Sequence, residues 1–437
     1  MIRAVEKTLI GILLVLTTAG FYAAFIKPLD VLYIGIAVNI YLVIKSRKFK
    51  PLAFMFIFWF TFILVTQPYY KDGVDISGAR NQFDIPELYN QTLFNQVFLL
   101  LVIALFFPRI KENIYLRERM NIPRNLFGYW ITFSFMLYIF FFGQSGESVF
   151  SAGGYATGAS QTSTLNEYFL VLVPVAVLCA GSDKVLRNLA YALVGLYMLK
   201  DLSFGGRNGT LQNALMIFLL VDNRKLKYWH IILIGAFPVY LLLIYGTIRA
   251  NPFLLFTAST SEILTLPFRS EQSFIASLGT QSDVFYASVR FLGLLEFGVL
   301  EQADRIKIFG YNILAIVMPY SYLPGKANLA GYELVKYNAG GGGLISAYWY
   351  FFLGLPGVAF IGWYISFIIK KARYSSNIYF ILYVLCLFSS YPRWLGYNPI
   401  LIFKLCIYGV VFYIIIKIWK NIARGPGNTL TPLKPAQ

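Results

Sequence analysis

The 437-residue chain is 58% hydrophobic, 18% aromatic and 13% charged, with a formal net charge of +17 at pH 7 and a mean hydropathy of +0.64. A soluble globular domain carries about 25% charged residues, so composition excludes that class and marks an integral membrane protein. Cys179, Cys386 and Cys406 all fall inside apolar runs, without the spacing of a metal site or a disulfide framework.

The first apolar run, 9–26, is long for a signal peptide core and lacks a small-residue cleavage site, so it reads as a first span. Further runs able to cross about 30 Å of hydrocarbon fall at 29–44, 51–67, 92–108, 126–143, 165–181, 188–204, 209–221, 229–247, 344–369, 377–391 and 399–416. They predict an all-α polytopic membrane protein of about 12 transmembrane helices, with 209–221 short enough to borrow from its flanks. The expected organisation is an N-terminal membrane bundle over 1–247, a large loop subdomain of short helices over 248–343, C-terminal spans over 344–424 and a flexible tail over 425–437. Within the loop, 284–300 and 308–324 are nearly long enough to span, which would raise the count to 14. Crossing would bring Arg290 and Glu296 to membrane depth, so interfacial or re-entrant segments are preferred.

Every second loop is basic: "KSRKFK" at 45–50, "RIKENIYLRER" at 109–119, "DKVLR" at 183–187, "DNRKLK" at 222–227, "KKAR" at 370–373 and "KIWKNIAR" at 417–424. With both termini on that side it holds 23 of the 37 lysines and arginines against five of the 20 acids, which accounts for the whole surplus. This is the positive-inside pattern, and it explains the charge by orientation, without nucleic acid. The sequence therefore places both termini and the basic loops in the cytoplasm.

Four arginines stand at the opposite face: Arg207 in "SFGGRNGTL", Arg249 in "YGTIRANP", Arg290 in the long loop and Arg393 in "SSYPRWLGYNP". Singly, each could snorkel to lipid headgroups. As a set they run against the depletion of arginine from such loops, and glycine or proline flanks three of them. Glycines let backbone approach a ligand, a helix start favours an anion, and guanidinium binds phosphate in a fork. Arg207, Asn208, Arg249, Arg290 and Arg393 are thus candidates for a pyrophosphate site, joined by Lys326 of "LPGKANL". Gly340 to Gly343 are expected to form a flexible hinge into the tenth span. The sole histidine, His230, falls on the cytoplasmic side. Among the carboxylates of the long loop, Glu333 and Glu296 are the candidate bases, because apolar surroundings could raise their pKa. No cluster suggests a metal, and no cofactor is expected.

"GGRNG" closing a span, "IRANP" ending a later one, "SVRFLG" in a large loop, "SYLPGK" before a glycine run, "FFLGLPG", and an arginine between the last two spans occur in that order. In these features the chain resembles the Wzy-type oligosaccharide repeat-unit polymerases, the O-antigen and enterobacterial common antigen polymerases. The resemblance implies a GT-C-like glycosyltransferase of the bacterial inner membrane with a periplasmic active site. It would use undecaprenyl-pyrophosphate-linked oligosaccharide, have a chain-length regulator as possible partner, and bind pyrophosphate through Arg207, Arg249, Arg290 and Arg393. O-antigen ligases share the architecture but typically carry a periplasmic histidine. A flippase for the same lipid-linked units is the alternative outside enzymes, although no internal repeat of the kind transporters carry is visible.

Overall fold

The computed structural model describes residues 2–72, 85–120, 123–151, 160–162, 165–221, 240, 244–245, 248, 253–265, 279–332 and 342–423. Its helices are α1 (Ile2–Tyr22), α2 (Pro28–Ser46), α3 (Lys50–Leu64), α4 (Gln67–Asp72), α5 (Pro86–Phe106), α6 (Leu126–Phe142), α7 (Leu165–Ala180), α8 (Lys184–Ser203) and α9 (Asn208–Leu220). The short α10 (Leu254–Thr257) and α11 (Thr260–Thr265) follow, then α12 (Gly279–Glu296), α13 (Gln302–Leu314), α14 (Ile345–Ala372), α15 (Ile378–Ser389), α16 (Tyr391–Gly396) and α17 (Leu401–Ala423). Strands β1 (Gln144–Gly146) and β2 (Ser160–Thr162) form one short antiparallel pair.

Local sequence sets the helix starts. Proline in the first turn of α2, α3 and α5 fixes φ where its missing N–H would have no helical partner anyway. Asn125, Asp183 and Asn377 accept backbone N–H bonds at the starts of α6, α8 and α15, satisfying donors that hydrocarbon would leave bare.

Among the described residues, six helical stretches are long and apolar enough to cross a membrane: Ala4–Tyr22, Pro28–Ser46, Lys50–Lys71, Pro86–Phe106, Ile345–Ala372 and Leu401–Ile422. The protein is a multi-pass membrane protein, and α6, α7 and α15 add shorter apolar helices. Most of the run at 229–247, and the tail from 424 onward, lie outside the described residues. Two helices serve as hubs. The apolar α5 is buried along nearly its whole length and packs on α1, α2, α12 and α14; α7 does the same for α6, α8, α9, α15 and α17. A helix apolar all round belongs inside. Leu9, Val15, Phe142, Leu199 and Ile422 instead face outward, as a lipid-covered surface requires.

The two ends of the bundle differ as the loop charges predict. At the basic end, the Arg119 guanidinium donates to the carbonyls of Ala372, Arg373 and Ser375, closing the C-terminus of α14. There also Arg124 pairs with Asp183 at 3.1 Å. The Leu186 N–H, together with Arg124, holds the Asp183 carboxyl below the usual aspartate range. A lowered carboxyl stabilises above its unfolded pKa and loses that contribution as pH falls through the folded value. Asp183→Asn is therefore expected to melt below wild type at neutral pH, with the gap closing as pH falls below about 4; thermal unfolding across pH checks it.

The fate of 279–296 follows from its neighbours. α12 is sheathed by α3, α5 and α14, with nearly every residue from Gln281 to Leu294 buried. Gln281 approaches Thr61 near the end of α3, whereas Glu296 lies within electrostatic reach of Tyr350, as does Tyr22 at the end of α1. Both ends of α12 thus stay at the end of the bundle opposite the basic loops. The amphipathic α13 lies outermost, with Ile308 and Asn312 inward and Ile306 and Ile313 exposed.

Candidate functional site

The "SFGGRNG" segment folds around a carboxylate. Asp201, in the last turn of α8, is 5% exposed. It accepts hydrogen bonds from Gln144 Nε2 of β1 at 2.7 Å and from Thr210 Oγ1 at 3.0 Å. Gly205 takes φ +87°, a conformation costly to any residue with a Cβ. A Cβ on Gly206 would fall 2.1 Å from Asp201 Oδ1, and one on Gly209 2.7 Å from Oδ2. These glycines make room for an internal anion, where the sequence alone suggested an incoming one. The loop so fixed sets Arg207 at the N-cap of α9 and Asn208 as its first residue.

Arg393 reaches the same end from α16. Tyr391, Trp394 and Leu395 are buried and Trp394 Nε1 donates to the Leu387 carbonyl at 2.9 Å, which leaves Arg393 turned outward. Its Nη2 meets Glu167 Oε1, in the first turn of α7, at 2.6 Å, with both side chains about a third exposed. The electrostatic reach of Glu167 extends to Tyr320 and to the buried Lys404, and that of Arg393 to Asp201.

Asn208 and Arg393 line one polar cavity of about 370 Å³ with Asn312, Tyr320, Asn328, Tyr348, Tyr397 and Asn398. Asn312 organises one wall: Nδ2 donates to the Ile308 and Ala327 carbonyls and Oδ1 accepts from the Tyr320 hydroxyl at 2.8 Å. On the other side the Tyr348 hydroxyl donates to the Tyr397 carbonyl at 3.2 Å. Gly342, at φ +105°, backs onto that carbonyl, and Gly343 onto Phe291. Gly342 and Gly343 are thus packed against their surroundings, while Gly340 and Gly341, the rest of the expected hinge, lie outside the described residues. Asn312 also lines a second space, an apolar groove of about 210 Å³ between Phe309, Ile313, Trp349, Phe352, Phe360 and Phe403. Ile313 and Phe360 are exposed to the outer surface, so a polar chamber and an apolar one meet at a single asparagine.

Arg290 is 5% exposed on α12, its guanidinium carbon 4.1 Å from the Tyr286 ring centroid, and its Nε has no hydrogen-bond partner. No ion pair joins it to a carboxylate among the described residues. Stacking is worth roughly 0.5–2 kcal/mol, against an effective cost of several kcal/mol for burying a charge, so ring contact alone does not balance it. Its neighbour Phe291 packs 4.6 Å from Tyr348, a wall of the polar cavity. At the start of the same helix Asp283 feels the charge of Arg207. Asp283 is exposed but crowded enough that desolvation pushes its carboxyl up, and Arg207 counters the shift.

Of the residues chosen from sequence, Asn208 and Arg393 share the cavity; Arg207 precedes Asn208 at the start of α9, and Arg290 stands outside the lining, next to Phe291, which packs on the wall residue Tyr348. Lys326 is exposed and paired with Asp304 at 3.3 Å, and does not line the cavity. Glu296 is exposed, which removes the burial argument for it as a base. Arg249, Glu333 and His230 lie outside the described residues. Sequence reasoning missed Glu167, Asp201, Lys404 and the Asn312 wall.

No protein-family model matches this chain, and neither a curated protein nor a solved structure does. The chemistry of the site therefore rests on its own residues: an arginine and several amides lining a polar cavity, a carboxylate paired with that arginine, and an adjoining apolar groove.

Proposed function

We propose that the protein is a Wzy-type polymerase: an inner-membrane, GT-C-like glycosyltransferase of about twelve spans that joins undecaprenyl-pyrophosphate-linked oligosaccharide units at the periplasmic face. The observation that carries this reading is the polar, arginine-bearing cavity adjoining an apolar groove at Asn312. A substrate with a charged head and a hydrocarbon tail needs both spaces side by side. The motif order and the basic surplus of alternate loops support the same reading. A chain-length regulator belongs to it as partner by resemblance alone.

In this reading Arg393, Asn208 and Arg207 hold the pyrophosphate of the donor, with Arg290 adding charge from below. Glu167 takes the proton of an acceptor hydroxyl, in place of the bases chosen from sequence. The acceptor oxygen bonds to the anomeric carbon as the carbon–oxygen bond to pyrophosphate breaks. The electron pair departs with undecaprenyl pyrophosphate, whose growing charge the arginines stabilise. Removing such a donor costs about 10²–10³ in rate, and removing a general base about 10²–10⁴.

Arg393→Ala and Glu167→Gln, at normal membrane abundance, are expected to leave single repeat units on the lipid acceptor and no long chains. A glycan ladder resolved by electrophoresis tests this, and an unchanged ladder in both variants would overturn the reading. Long polymer retained on the carrier would instead indicate a ligase, and units trapped on the cytoplasmic side a flippase.

A further inference from the structure

A larger cavity lies at the other end of the molecule. It measures about 560 Å³, sits where α1 begins and α2 and α5 end, and is lined by Lys7, Lys45, Arg47, Lys48, Arg109 and Lys111 with Glu6 as its one carboxylate. Glu6 is already engaged: its Oε1 accepts from the Tyr41 hydroxyl and pairs with Lys45, both at 2.5 Å. Lys7 donates to the Ala104 and Phe107 carbonyls, closing α5, and Lys48 donates to the Lys111 carbonyl. Cations at helix C-termini are ordinary, and those contacts account for three of the six.

Arg47, Arg109 and Lys111 remain. All three side chains are exposed, and none makes a hydrogen bond or ion pair among the described residues. The surface beside this cavity is apolar and outward-facing: Val5 and Leu9 on α1, Ile44 on α2 and Phe106 on α5 are about half exposed or more. A soluble anion has no use for that rim, whereas a lipid would lay its acyl chains along it. The loop-charge rule explains why lysine and arginine occur at this end, but not why they surround a hollow whose one acid is neutralised from within.

We propose that this cavity binds the phosphate headgroup of an anionic glycerophospholipid, held by Arg47, Arg109 and Lys111, with its acyl chains along α1, α2 and α5. Basic pockets between spanning helices suit such headgroups. The inference does not depend on the polymerase reading, since the two sites lie at opposite ends of the bundle.

The test uses the full-length protein in nanodiscs of phosphatidylcholine doped with phosphatidylglycerol, with retained lipid read by native mass spectrometry. Wild type is expected to retain phosphatidylglycerol over phosphatidylcholine. The triple variant Arg47→Gln, Arg109→Gln, Lys111→Gln should lose that preference by about 100-fold, from about fivefold per cation. Glu6→Gln, which releases Lys45, should strengthen it by about fivefold, so the proposal stays testable if the triple variant does not fold. Equal retention of both lipids by wild type, or undiminished preference in a folded triple variant, would overturn it. Displacement of phosphatidylglycerol by millimolar inorganic pyrophosphate would overturn it too, by assigning the cavity to a soluble anion.

Discussion

Arg290→Met is expected to give a protein that melts at higher temperature than wild type and makes no long glycan. The two outcomes share one cause. Arg290 is buried over Tyr286 with Nε unpartnered and no carboxylate counter-ion among the described residues, and arginine cannot discard its charge by losing a proton. A methionine of similar length fills the space without that cost. Even buried charges with partners, when replaced by well-packed apolar groups, are often neutral or gain about 1–4 kcal/mol. A residue kept at the expense of stability is kept for what it binds, and the cost falls when an oxyanion arrives. Thermal unfolding in detergent with and without undecaprenyl pyrophosphate measures both parts: the ligand should raise the melting temperature of wild type more than that of the variant, which keeps Arg393, Asn208 and Arg207. A variant that melts lower and still polymerises would show that the arginine is a packing element, and the anion argument would fail. Arg290→Lys keeps the charge but loses the fork, and is expected to rescue binding only in part.

Gly206→Ala should have the largest effect on folding. Its new Cβ would stand 2.1 Å from Asp201 Oδ1, which forces the carboxylate away from Gln144 and Thr210. Hydrogen bonds to a charged group are worth about 1.5–3 kcal/mol each, and a buried group left unpaired costs as much again. A loss of about 3 kcal/mol or more is expected, enough to deplete the protein from the membrane. Gly195→Ala is the matched control on α8, since a Cβ there meets nothing within 4 Å and alanine favours the helix by up to about 1 kcal/mol. Quantitative immunoblotting of membranes and thermal unfolding separate the two. If Gly206→Ala accumulates as Gly195→Ala does, the account of the glycine loop is wrong.

Helix order, the two unlike ends and the place of Arg207 at a helix start were legible because each is local: a hydrophobic run, a charge cluster, a glycine pair. The partners of those residues were not. Glu167 and Arg393 are 226 positions apart, and nothing in the periodicity of either helix specifies the other. The glycines pointed correctly to a close approach, but not to what approaches. Asp201 is an acid inside an otherwise apolar span, a position that by itself deserves a functional or structural explanation. The run at 284–300 is marginal by hydropathy because Ser288, Arg290 and Glu296 weigh against it, whereas α3, α5 and α14 bury most of α12 regardless.

The break in α14 ties the two chambers together. At Gly354 the backbone turns to φ 66°, ψ −155°, followed by Pro356, which separates a short N-terminal segment from the long shaft that packs on α5. That segment carries Tyr348, a wall of the polar cavity, together with Trp349 and Phe352, walls of the apolar groove. Being one stretch of helix, it cannot tilt at Gly354 without moving all three rings at once. The polar cavity and the apolar groove are geared together, so a change in the shape of one is felt as a change in the width of the other.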